Sequence, residues 1–144
     1  MQTKEEIVKN WLPRYTGTPL DEFKPYILLT NFGNYVDMFA KMYGVEVKGR
    51  DRAMQTASAG NITIINFGMG SAVAATIMDL LTAVSPKAVL FLGKVGGLKK
   101  STKLGDLILP IAAGTNNRAI KMRPMRSSGF LVRFMVYSFI ELSG

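Results

Sequence analysis

The chain has 144 residues, 48% of them apolar, and 18 basic against 10 acidic side chains, which is enough apolar material for one domain with a buried core or for half of a larger one. It contains no cysteine and no histidine, which removes disulfides, thiol nucleophiles, thiolate metal sites, imidazole bases and the commonest zinc ligand together. The net charge of +8 is concentrated at the end, where residues 116–144 hold five basic residues and one acidic; no aromatic-interleaved basic patch precedes them, so nucleic acid is not an expected partner.

The opening MQTKEEIVKNWLPRY is charged and amphipathic without an apolar h-region, which predicts mature cytoplasmic sequence. No apolar run reaches the roughly 20 residues of a membrane helix. Residues 3–12 read as a helix capped by Thr3, with Glu5 and Glu6 in its first turn and Pro13 after its end. RYTGTPLDEF is a turn-rich connector. YILLT, residues 26–30, is an apolar run of strand length closed by NFGN, and YVDMFAKMY, residues 35–43, has helical spacing. VEVKGRDRAMQTASAG is polar and rich in small residues, suiting a hairpin edge or a mobile loop. The grammar then repeats: a strand from Ile62 to Phe67, a Gly68-Met69-Gly70 turn, and a helix from Ser71 to about Ala83 stopped by Ser85-Pro86. KAVLFLG and GDLILPIAA are two further strands.

Strands that read as unbroken apolar runs alternating with helices predict an α/β fold with a parallel or mixed sheet covered on both faces. Glycine turns would then gather at the carboxyl ends of the strands, where open sheets bind ligands. Any one of Gly33, Gly68, Gly70 or Gly96 is explained by a tight turn alone; their recurrence at equivalent strand ends points to a pocket. GMGSA departs from the dinucleotide pattern because position 73 is valine, and no P-loop motif is present. Met38, Met42 and Met78 read as core filling on helical apolar faces.

FGMGSAVAATIMDLL followed by VLFLGKVGGLKKSTKLGDLILP resembles the core of the nucleoside phosphorylase and nucleosidase superfamily. More narrowly, RYTGTP and TN-x-x-x-YVD-x-F resemble the start of the catalytic domain in the AMP nucleosidase family. The likeness runs from about residue 11 to residue 113. It implies a three-layer α/β/α sandwich with a mixed central sheet, incomplete here, in a single domain of residues 1–144 whose segment 114–144 is a divergent tail. It further implies hydrolysis of AMP to adenine and ribose 5-phosphate without metal or cofactor, and assembly into dimers or hexamers. The substrate-binding positions implied are Asn31, Gly33, Gly68, Met69, Gly70, Gly93, Lys94, Val95 and Gly96, the last four in a loop against ribose and purine. Lys94 is the candidate for the 5-phosphate or ribose hydroxyls, the other reading being an exposed loop lysine.

Superfamily phosphorylases hold inorganic phosphate with arginines at positions that correspond here to Asp37 and Phe91, which favours water as the attacking group. The family's purine-side aspartate and its ribose-binding Met-Glu pair belong to a second half that the sequence to residue 144 does not show. The tail, with neither Met-Glu nor Ser-Asp, is expected to mark a shortened or frame-shifted product; the alternative is a divergent functional extension. Two other functions stay open at this level. One is a phosphorylase or thioadenosine nucleosidase, and the other a non-catalytic binding or assembly module.

Overall fold

The computed structural model describes residues 2–95, together with the backbone of two strands at 107–108 and 131–138. The first helix, α1 (Lys4–Thr16), begins on a capping box: the Thr3 hydroxyl accepts the Glu6 N–H at 3.2 Å, and the Glu6 carboxylate accepts the Thr3 N–H at 2.8 Å. The helix runs through Pro13 and does not end before it. Its last turn is anchored by Leu12 and Thr16, both fully buried, and the Thr16 hydroxyl donates to the Leu12 carbonyl at 2.8 Å. Gly17 then stops it in the left-handed conformation at φ 66°.

A 3-10 turn (Leu20–Glu22) leads into β1 (Tyr26–Thr30), followed by α2 (Gly33–Tyr43), the hairpin β2 (Gln55–Ala59) and β3 (Ile62–Asn66), α3 (Ser71–Leu80) with a 3-10 extension, and β4 (Ala88–Val95). The short β5 (Leu107–Ile108) and β6 (Leu131–Ser138) complete the sheet. The strand order is β2-β3-β1-β4-β6-β5. β3, β1, β4 and β6 run parallel, while β2 and β5 are antiparallel to their neighbours, so the sheet is mixed. The 44–61 segment resolves into the hairpin edge, because QTASA pairs along β3 from Gln55↔Asn66 to Ala59↔Ile62.

The two faces carry separate cores. Leu12, Ile27, Leu29, Ile65, Ile77 and Leu81 pack together on the α1/α3 face, and Val36, Ala40, Ala57 and Ile64 on the α2 face. Fully burying each large aliphatic side chain among these contributes about 1.5–3 kcal/mol. The result is the three-layer sandwich. Met78 packs against the first core as expected, but Met38 and Met42 are 59% and 74% exposed. Their i, i+4 spacing forms a second apolar stripe on α2, beside the one that Val36 and Ala40 turn inward.

The RYTGTP stretch has a structural task. Thr16 and Thr18 are buried, Thr18 N–H donates to the Thr16 hydroxyl at 3.2 Å, and the Thr18 and Thr56 hydroxyls share a hydrogen bond. Gly49 lies so close beneath it that a Cβ there would stand 2.2 Å from the Thr16 carbonyl oxygen, with φ at 72°. The Tyr15 carbonyl accepts the Met54 N–H at 2.9 Å. The end of α1 therefore fixes the approach to β2.

Candidate active site

The parallel strands β3, β1 and β4 begin level, Tyr26 pairing with both Ile62 and Ala88, so their carboxyl ends share one edge. β1 and β3 stop together at Thr30 and Asn66, whereas β4 continues three residues past Leu92, the partner of Thr30. Gly93, Lys94 and Val95 thus belong to the strand and not to a loop, because β6 pairs with them at Val136, Tyr137 and Ser138. Gly96 lies outside the described residues.

Three connections leave this edge. After β1, the Thr30 hydroxyl accepts the Phe32 N–H at 3.1 Å and α2 starts at Gly33. After β3, the Asn66 side-chain oxygen accepts the Gly68 N–H at 3.1 Å, the Thr30 carbonyl accepts the Phe67 N–H at 3.1 Å, and α3 starts at Ser71. Gly68 and Gly70 have φ of 82° and 103°, values that favour glycine, and nothing lies within 4 Å of where their Cβ atoms would stand. The turn thus needs glycine for its backbone, and no described residue crowds it. Met69 between them is 78% exposed.

Neither α2 nor α3 has a side-chain cap, in contrast to α1. Their first-turn N–H groups and the positive ends of their dipoles face the strand ends, an arrangement that suits an anion. Lys94 adds a charge there: its Nζ lies 4.7 Å from the Phe32 ring centroid and 5.6 Å from that of Tyr35, at the start of α2. Gly33 sits beside two carboxamides, and a Cβ on it would stand 3.4 Å from Asn66 Nδ2 and 3.5 Å from Gln55 Oε1.

On the other face of the sheet, Phe67 and Phe91 stack with centroids 5.7 Å apart, and the Phe91 ring covers Gly93, where a Cβ would stand 2.8 Å from Cε1. Gly93 is small because Phe91 needs the room; its φ is ordinary. Asn31 is half-buried and its Oδ1 receives no hydrogen bond. Asp37 is ion-paired with Arg50 at 2.7 Å.

The predicted residues that the structure describes therefore meet at one edge, Gly33 and Lys94 on the α2 side and Gly68, Met69, Gly70 and Gly93 on the α3 side, with Asn31 just after β1 and Val95 at the last position of β4. Sequence reading missed Gln55, Asn66, Phe32 and Tyr35. Asn66 was detectable as the polar residue that closes an apolar strand before a glycine turn, but Gln55 reaches the site only through the pairing of β2 with β3. A separate hollow of about 120 Å³ lies by β2 near Thr18 and Lys48, and none of the predicted residues lines it. Among the described residues no cluster of three or more His, Cys, Asp or Glu could hold a metal, and no helix is long and apolar enough to cross a membrane.

Residues 25–131 match the family model of the Phosphorylase superfamily. A crystal structure of AMP nucleosidase from Bacteroides thetaiotaomicron superposes with a TM-score of 0.72 at 64% identity, over 76% of this chain and 48% of that one. AMP nucleosidase from Escherichia coli K12 is 29% identical over an alignment of 135 residues, covering 68% of this chain and 28% of that protein. The purine nucleoside phosphorylase of Toxoplasma gondii, crystallised with immucillin-H, shares the fold at a TM-score of 0.61 and 19% identity, over 79% of this chain and 48% of its own. The chain thus spans about half the length of these two solved relatives and 28% of the Escherichia coli protein.

Proposed function

The chain belongs to the phosphorylase superfamily, and on that premise we propose that it carries the sugar-phosphate half of an AMP nucleosidase site. The reaction is hydrolysis of the N-glycosidic bond of AMP: the C1′–N9 bond breaks, its electron pair goes to the purine, which takes a proton at N7, and water adds OH to C1′ while its other proton makes up the one given to the purine, leaving adenine and ribose 5-phosphate. The observation that carries this reading is the meeting of the Lys94 ammonium with the uncapped start of α2, two positive elements at the carboxyl edge of the sheet. A phosphate monoester is the anion of matching charge. Asn31, Gly33, Gly68, Met69, Gly70, Gly93, Lys94, Val95 and Gly96 are the substrate-binding positions in this reading.

Two side chains support water over phosphate as the nucleophile. Asp37 is engaged by Arg50 and is itself an anion, and Phe91 is packed on Phe67; neither can hold an incoming phosphate. The exposed Met38, Met42 and Tyr43 stripe of α2 supports assembly with a second copy of the chain, and the compartment that goes with this reading is the cytoplasm. The reading is tested by following adenine release from AMP with and without inorganic phosphate, using the Bacteroides thetaiotaomicron protein beside this chain. Phosphate does not accelerate release in either. An obligatory phosphate requirement with ribose 1,5-bisphosphate as product overturns the assignment in favour of a phosphorylase.

A further inference from the structure

Asn31 follows the last residue of β1. Thr30 pairs with Asn66 and Leu92, so the next residues on the flanking strands are Phe67 and Gly93. Ile27 and Leu29 are buried in the α1/α3 core, where Phe67 and Phe91 pack with tilted rings, and Asn31 follows them in the bend that closes β1. The residues level with it on the flanking strands, Phe67 and Gly93, and the Phe91 ring over Gly93 offer no side-chain donor. The Asn31 Oδ1 is closed to solvent and no donor reaches it, and it is the one such side-chain atom among the described residues.

A buried acceptor left unmet is a standing cost, and an apolar residue of the same size would remove it. A carboxamide at this position is explained by a donor that arrives with the ligand. A phosphate monoester, mostly dianionic at pH 7, is chiefly an acceptor and a poor match for an amide oxygen. A hydroxyl fits: it donates to Oδ1 and can accept from Nδ2 of the same group. We propose that Asn31 reads the sugar, its Oδ1 accepting a hydrogen bond from a ribose hydroxyl of the bound nucleotide after the carboxamide rotates toward the Gly68–Gly70 turn, where no described residue stands within 4 Å of where a Cβ would be. This rests on the reading of the edge as a nucleotide site, and it adds a specificity-determining residue that distinguishes ribose from deoxyribose.

The test is calorimetric binding of AMP, 2′-deoxy-AMP, 3′-deoxy-AMP and purine riboside 5′-monophosphate to the wild-type chain, Asn31→Leu and Asn31→Asp, with thermal unfolding of each protein. Wild type binds AMP at least about tenfold more tightly than one of the two deoxy analogues. Asn31→Leu loses that discrimination by weakening AMP alone, and its Tm is equal to or above that of wild type because the unmet acceptor is gone. Asn31→Asp keeps an acceptor of the same shape and keeps the discrimination. Retained discrimination in Asn31→Leu, with or without a fall in Tm, overturns the inference and leaves a structural role. A loss that follows the 6-amino group in place of a hydroxyl assigns Asn31 to the base and overturns it as well. Absence of AMP binding by wild type sinks the nucleotide reading itself, and the inference with it.

Discussion

At the scale of single residues, glycines with different physical causes predict different losses. Gly70 has φ 103° and ψ 152°, a region closed to side chains, so Gly70→Ala should cost about 1–3 kcal/mol of stability, read as a lower midpoint in urea unfolding. Gly33 has an ordinary φ and would bring its Cβ only into normal contact with Asn66 and Gln55. Gly33→Ala should therefore leave the urea midpoint nearly unchanged while weakening nucleotide binding, because the added methyl fills the space before the first turn of α2. An equal loss of stability in the two variants would contradict the distinction. Lys94 supplies charge, and its replacement should be selective: Lys94→Gln should weaken AMP about tenfold or more and leave adenosine nearly unaffected, measured by titration of both ligands. Equal weakening of the two would place Lys94 away from the phosphate.

At the scale of elements, the RYTGTP signature belongs to the scaffold. Thr18→Val leaves the buried Thr56 hydroxyl without its partner and should cost about 1–3 kcal/mol, whereas Gly49→Ala drives a methyl into the Thr16 carbonyl and should prevent the β2 approach from forming. Circular dichroism during urea titration checks both. The same elements show what a single sequence can disclose. β1, β3 and β4 were legible because strands buried on both faces are written as unbroken apolar runs. β2 is ambiguous in the sequence because QTASA gains strand character only by pairing with β3, and KAVLFLG stops two residues short of the end of β4 because Lys94 and Val95 depend on β6, some forty positions along the chain. The glycine turns of the site were readable, but the carboxamides around them were not, since their roles come from register and not from local composition.

At the scale of the whole molecule, the acids are accounted for almost completely. Glu5, Glu22, Asp37, Asp51 and Asp79 are ion-paired, and Glu6 closes the capping box of α1. Asp21 and Glu46 sit on connectors, and Asp106 and Glu141 lie outside the described residues. A general acid at the purine contributes about 10²–10⁴ in rate, and the described carboxylates do not supply one, so adenine release by this chain should fall below that of the Bacteroides thetaiotaomicron protein by such a factor. Comparable rates at equal concentration would locate the acid at Asp106 or Glu141, and the Asn and Gln variants would tell which. The contrast between the capped α1 and the uncapped α2 and α3 has a dynamic counterpart. With no side chain to hold them, the opening amides of the latter two helices, at Gly33, Asn34, Ser71 and Ala72, should exchange hydrogen for deuterium quickly in the empty protein and become protected when nucleotide binds. Occupancy of the proposed site would then be followed at these amides without any turnover.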